Sequence, residues 1–319
     1  MKRVLYVRAQ DHGDFPEYSI PALQRALSQA GMPSVPTEPI SAITLAGKVL
    51  SRMALIRQLA RLPRYAFFVP MMGPTERRFW PVSYLFEVIP YCYDCWPPAY
   101  ERWERTLRRN RVRLAFFSAS QSARYFAERL PSLEAHWLPE AVAASDYTSN
   151  KPLSERPIHV LEMGRKFDEY NARIAPALQS AGMVHLFERV RGQIIFPTRK
   201  GFIDGLGDSQ ISVCFPSSLT HPERAADVET LTHRYLESIA SKCLVLGRCP
   251  QELKTVFGYN PVVEVDFDNP ADQLLDILSN IRMHQDMVER NYQRLVEVGT
   301  WGSRVDALIG MLDKRGYCT

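Results

Sequence analysis

Apolar residues along this chain fall into two kinds of pattern: short continuous runs, and longer stretches where they recur every three or four positions. The first pattern fits buried strands of a parallel sheet and the second fits amphipathic helices. Residues 3–8, RVLYVR, read as a strand that leads into the polar loop AQDHGDFPEYS. Ser19 then opens a helix with Ile20, Leu23, Leu27 and Ala30 on one side and Gly31 as its C-terminal cap. A basic helix is predicted over 45–64, where Leu50, Met53, Ile56 and Leu59 are apolar and Arg52, Arg57, Arg61 and Arg64 lie largely elsewhere. Strands are predicted at 65–71, 85–93, 114–118 and 136–138, with helices after Pro97 and Pro98 and at 121–130.

Residues 141–157 are polar, carry two prolines and read as a linker. Beyond it the alternation restarts. The expected elements are a strand at 158–164, a helix at 168–181, strand-like runs at 183–187 and 193–196, and a short helix at 202–206. A strong strand at 211–215 ends on Pro216, Ser217 and Ser218. After residues 227–247 come a helix from Pro250, a strand at 262–265 and three helical segments. Two such halves predict two α/β domains with parallel sheets, whose ligand crevices lie at the carboxyl ends of the strands. Asp11, His12 and Gly13 fall at one such end.

Composition narrows the class. The chain has 319 residues, enough for two domains, with 46% hydrophobic and 23% charged residues as in ordinary globular proteins. No run approaches the ~18 apolar residues that span a membrane, and the N-terminus turns polar too early for a secretory signal, so a cytoplasmic location is expected. The six cysteines are scattered; Cys92 and Cys95 form one C-x-x-C without a second, which predicts reduced thiols and no zinc ribbon. No G-x-G-x-x-G follows the first strand of either half, against a dehydrogenase.

Residues 227–247, DVETLTHRYLESIASKCLVLG, hold the densest chemistry. Glu229 and Glu237 are separated by seven residues, with His233 and Arg234 between them. Thr230 or Thr232 is the candidate N-cap, Tyr235, Leu236, Ile239 and Ala240 the apolar side, and 243–246 a buried strand behind the helix. A helix N-terminus offers unpaired N–H groups to a phosphate, and ionised carboxylates accept bonds from sugar hydroxyls. On spacing alone, an ordinary amphipathic helix with a solvated charged face is equally acceptable.

This pattern resembles the C-terminal half of GT-B glycosyltransferases, closest to the group 1 (GT4-like) and spore-protein-type families. The resemblance spans about residues 158–312 and, more weakly, 85–142. It implies two Rossmann-like domains facing each other across a cleft: 1–150 on the acceptor side, 151–299 on the donor side, and a closing helix in 300–319 that returns to the first domain. It further implies transfer of a sugar from a UDP- or GDP-linked donor to a glycan, lipid-linked or similar acceptor, with no cofactor and no metal.

By that resemblance Arg165 and Lys166, after Gly164, belong to the phosphate clamp. The family places its Lys several residues later, so Arg199, Lys200 and Arg234 are substitutes. Ser217 and Ser218 match a turn beside the donor, Glu237 the ribose contact, and Glu229 the donor-sugar side. Thr230 and Thr232 stand where the family has glycines. Arg234 shares the helical face of Glu237 and either binds phosphate or pairs with it. An inverting enzyme needs a general base, for which Asp94 and His12 are the candidates; the alternative for Asp94 is an N-cap before Pro97. Lys and Arg outnumber acids 13 to 5 between Lys48 and Arg113, which suits a peripheral contact with an anionic inner-membrane face or a lipid-linked acceptor, or a plain solvated face. No nucleic-acid module is recognised, and no nucleic-acid partner is expected. Competing readings are a GT-B epimerase or hydrolase, and a silent binding protein of the same fold.

Overall fold

The computed structural model describes residues 2–8, 19–35, 65–74, 86–147, 151–164, 166–190 and 192–319. His12, Arg165 and the basic helix expected at 45–64 lie outside these residues.

The first domain is built on β1 (Lys2–Val7), β2 (Ser34–Val35), β3 (Tyr65–Met71), β4 (Glu87–Cys92), β5 (Leu114–Phe117) and β6 (Glu134–Trp137). Its α-helices among the described residues are α1 (Ser19–Gln29), α2 (Tyr100–Arg109) and α3 (Ser120–Arg129). The strands run parallel in the order β1-β3-β4-β5-β6, with β2 on the free side of β1. Continuous burial of Phe67 to Met71 and of Val88 to Cys92 reflects helices on both faces of the sheet. Ala22, Leu23, Ala26 and Leu27 of α1 fill one face; Trp103, Leu107, Ala123 and Phe126 fill the other. Gly31 closes α1 at φ +82, the left-handed conformation of a C-terminal cap.

The second domain carries β7 (Ile158–Glu162), β8 (His185–Phe187), β9 (Ser209–Cys214), β10 (Leu244–Gly247) and β11 (Val263–Glu264), all parallel in the order β11-β10-β9-β7-β8. Helices α4 (Asp168–Ser180) and α5 (Arg199–Gly207) follow the first two strands. The short α6 (Ser217–Thr220) and α7 (Pro222–Ala225) and the longer α8 (His233–Ala240) lie between β9 and β10. Then come α9 (Gln251–Phe257), α10 (Pro270–Ser279) and α11 (Gln285–Val298). Each sheet reverses its winding between its first strand and the next one inward: β1 and β3, then β7 and β9. Such a switch point opens a crevice at the carboxyl edge.

The chain crosses between domains twice at one place. Val142 bridges Thr300, with Val142 N donating to Gly299 O and Trp301 N to Val142 O, both at 3.1 Å. Beyond it, α12 (Trp301–Asp313) lays Trp301, Val305, Leu308 and Leu312 into the core of the first domain, and β12 (Tyr317–Cys318) pairs with β1. Each such buried side chain contributes roughly 1.5–3 kcal/mol. Residues 193–196, read as a strand, are not one. Phe196 instead packs over Gly205, where a Cβ would come within 2.2 Å of its ring, while Ile194 stays 58% exposed. The linker is more structured than its polarity suggests, because Tyr147, Leu153 and Arg156 within it are buried.

Candidate active site

The crevice of the second domain starts where β7 ends. Gly164 has φ +71, so the turn admits glycine with least strain. Arg234, in the first turn of α8, lies across it. A Cβ on Gly164 would stand 3.7 Å from Arg234 Cδ and 3.8 Å from Cζ, and Arg234 Nη1 donates to Met163 O at 3.0 Å. This places a guanidinium at the switch point between β7 and β9. Across from it, β9 runs into Pro216 and the buried Ser217. The hydroxyls of Ser218, Thr220 and Thr232 are buried without a hydrogen-bond partner. Buried polar atoms normally find partners, so a cation with three such hydroxyls describes a polar lining suited to a ligand. Thr232 holds the N-cap position of α8, yet its side chain makes no capping bond, contrary to the capping role expected for it.

Other clamp residues are differently engaged. Lys166 pairs with the Asp168 carboxylate, Lys200 with Asp204, and Arg199 with Tyr147 and Asp146. Of the substitutes named for the clamp, Arg234 is the one at the crevice. Glu237, three residues along the same helix, accepts from Tyr147 Oη at 2.8 Å. Arg199 Nη2 donates to the same hydroxyl at 3.3 Å, with its guanidinium 5.2 Å from the Tyr147 ring centroid. Burial and the Glu237 charge push the Tyr147 phenol up, so it stays a donor. Glu229 pairs with Arg248, 3.2 Å away beyond β10, which sets it toward the other side of the edge from Gly164.

Where the domains meet, Asp94 adopts φ 48 and its carboxylate is bound by Arg224 Nη2 at 2.6 Å. It is no N-cap, since Trp96 precedes the helical turn at Pro97 without a side-chain bond. The acceptor hydroxyl assigned to Asp94 from sequence would have to compete with that ion pair. Nearby, Gln121 accepts from Glu229 N at 2.9 Å and donates to Asp227 O at 3.3 Å. Glu252 accepts from Ser120 N at 2.5 Å and from Leu231 N at 2.7 Å. Trp96, Ala119, Ala225 and Val228 form an apolar cluster across the same seam. Desolvation raises the Glu252 carboxyl, opposed by those two backbone bonds. On the opposite side His233 sits 3.4 Å from Glu140 and 6.2 Å from the Trp301 ring; burial, then the Arg199 charge, lower its pKa to about 4.

Sequence reading missed Tyr147, Glu140, Gln121, Arg224 and Glu252. They occupy turns, helix ends and a supposed linker, where no periodicity marks them. Among the described residues no group of three or more His, Cys, Asp or Glu is arranged to hold a metal, and no helix is long and apolar enough to cross a membrane. All six cysteines are free, and five of them are buried.

Two parallel-sheet α/β domains, with the closing helix returned to the first, define the GT-B architecture. Solved structures share it over nearly the whole chain. Anabaena HepE in complex with UDP superposes with a TM-score of 0.59 at 8% identity, covering 98% of this chain and 100% of that one. An α-glucosyltransferase in complex with UDP gives 0.59 at 10% identity over 98% and 100%; it was also solved with UDP and a 13-mer DNA. AviGT4, a glycosyltransferase involved in avilamycin A biosynthesis, gives 0.57 at 12% identity over 98% of each chain. At these identities the likeness is one of fold. No family model and no curated protein matches the sequence.

Proposed function

We propose that the chain is a glycosyltransferase moving a sugar from a nucleoside-diphosphate donor, UDP- or GDP-linked, to a glycan or lipid-linked acceptor, without a metal. The observation that carries the reading is Arg234 lying over Gly164 at the β7/β9 switch point. As the bond from the anomeric carbon to the diphosphate breaks, negative charge builds on the departing oxygen. A fixed guanidinium beside a helix N-terminus stabilises that charge more than it stabilises the bound donor. Ser217, Ser218 and Thr232 line the donor, and Glu237, held by Tyr147, takes the ribose hydroxyls. His12 or Asp94 would serve as base if configuration inverts, and Asp94 first has to leave Arg224. That the similar structures were solved with UDP supports a uridine donor over other bases.

The test is a thermal-shift screen with UDP, GDP, ADP, CMP and TDP, with and without EDTA. Binding to the folded state raises the melting temperature by mass action. A selective, EDTA-insensitive rise is expected. No rise with any nucleotide would discard the reading in favour of a silent member of the fold.

A further inference from the structure

The stretch between α7 and α8 has no regular secondary structure, yet it leads straight into the head of α8, where Thr232 and Arg234 belong to the donor crevice. A backbone outside any helix or ladder still has to satisfy its polar groups, so the partners of residues 227–231 show what holds the segment. Val228 N closes a local turn on Ala225 O at 3.0 Å. Three other groups look elsewhere. Gln121, the second residue of α3, uses both ends of its side-chain amide: Oε1 accepts from Glu229 N at 2.9 Å and Nε2 donates to Asp227 O at 3.3 Å. Two residues further on, Leu231 N donates to Glu252 Oε2 at 2.7 Å, and Oε1 of that carboxylate accepts from Ser120 N at 2.5 Å. Three alternate residues of the segment are thus pinned to the N-terminal turn of α3, directly or through Glu252.

Packing and backbone conformation agree with this. Val228 sits in one apolar cluster with Trp96 and Ala119 of the first domain. Ala226 enters the segment at φ 50, ψ −125, a conformation that residues with a Cβ rarely adopt, and across the seam Asp94, bound by Arg224, stands at φ 48. Such conformations persist where surrounding contacts over-determine them, and they collect at ligand clamps. At the other end of the segment, five positions after Glu229, Arg234 lies over Gly164.

We propose that Gln121 is a positioning residue for the donor site, carried by the first domain but acting on the second. By bonding the backbone at Asp227 and Glu229 it fixes the approach to α8, and with it the Arg234 guanidinium over Gly164. Gln121 itself does not touch the donor. The inference rests on the glycosyltransferase reading and deepens it: affinity for the donor depends on a residue of the other domain.

Titration calorimetry of UDP into the full chain tests it, with melting temperature read in parallel. Gln121→Met keeps the length of the side chain and suits a helix, but removes both bonds. It should weaken UDP binding roughly 5- to 10-fold. Gln121→Glu suits a helix N-terminus yet cannot donate to Asp227 O, so it should weaken binding too, and it keeps the test open should the methionine variant not fold. Gly31→Ala, which loses stability through its positive φ, should bind UDP as the wild type does. The double variant Gln121→Met with Arg234→Gln should bind no more weakly than Arg234→Gln alone, because both changes act through one guanidinium. Unchanged affinity in the Gln121 variants, an equal loss in Gly31→Ala, or additive losses in the double variant would overturn the proposal. No binding of UDP by the wild type would strike the glycosyltransferase reading and this proposal with it. Wild-type binding that the Gln121 variants leave intact would strike this proposal alone.

Discussion

The two sheets share a winding order, with the switch point between their first strand and the next one inward, yet their carboxyl edges carry different chemistry. The edge of the second domain has a glycine at positive φ, a guanidinium laid over it and hydroxyls without partners. The edge of the first domain has aromatic rings, an aspartate bound by the opposite domain, and Ser120 N and the Gln121 side chain bonded to Glu252 and Glu229 N of that domain. One edge offers polar groups of the kind a small charged ligand needs, and the other is largely occupied in meeting its partner domain. The winding alone therefore does not distinguish the two crevices; the side chains at the strand ends do.

The steepest way to break this comparison is through glycine. A Cβ at Gly247, at φ +149, would stand 1.9 Å from Cys214 O, where β10 passes β9. Gly247→Ala should cost about 3 kcal/mol or more, read by urea unfolding. Gly31→Ala, at φ +82 in open space, should cost only about 1 kcal/mol. Equal costs would mean that the β9–β10 approach is not as close as described.

The seam itself should respond to acid. His233 titrates near 4 in the folded chain against an ordinary 6.5, so the unfolded chain takes up its proton first as pH falls. The stability due to neutral His233 is complete above pH 6.5 and is lost between 6.5 and about 4. The loss should reach about 2–3 kcal/mol, the lower end because the side chain keeps 21% exposure beside Glu140. His233→Asn should flatten that part of the pH–stability curve; an unchanged curve would remove His233 as its source.

Smaller effects sharpen the assignment. Tyr147→Phe deletes the donor to Glu237, about 1 kcal/mol, and should weaken nucleotide binding roughly fivefold with little change in turnover at saturation. A pure loss of stability at unchanged affinity would make the contact structural. Asp94→Asn, which weakens a half-exposed ion pair with Arg224, should cost no more than about 1 kcal/mol. Turnover by Asp94→Asn near the wild-type level is expected if the interdomain pair is its role, and abolished turnover with intact folding would restore it as the base.

Much of the fold was legible because buried parallel strands and amphipathic helices leave opposite periodicities. β3, β4, β9 and the helix carrying Arg234 and Glu237 stand close to where the pattern put them. The failures have local causes. QIIF at 193–196 has the composition of a strand, but Phe196 packs over Gly205 of a helix and Ile195 against the same core rather than in a ladder. A two-residue strand such as β12 carries no period at all. At the site, their spacing put Arg234 and Glu237 on one helix, and there they stand. The partners of the site residues were not legible, since Tyr147 meets Glu237 across 90 positions and Arg224 meets Asp94 across 130, contacts set by the folded topology.

The central claim is that the carboxyl edge of the second domain, with Arg234 over Gly164, binds the donor diphosphate. Titration calorimetry of UDP into wild type and Arg234→Gln tests it most directly. Losing a charge-assisted contact to phosphate should weaken binding about 10- to 100-fold in Arg234→Gln. Equal affinity in the two proteins would contradict the account and move the nucleotide away from this edge.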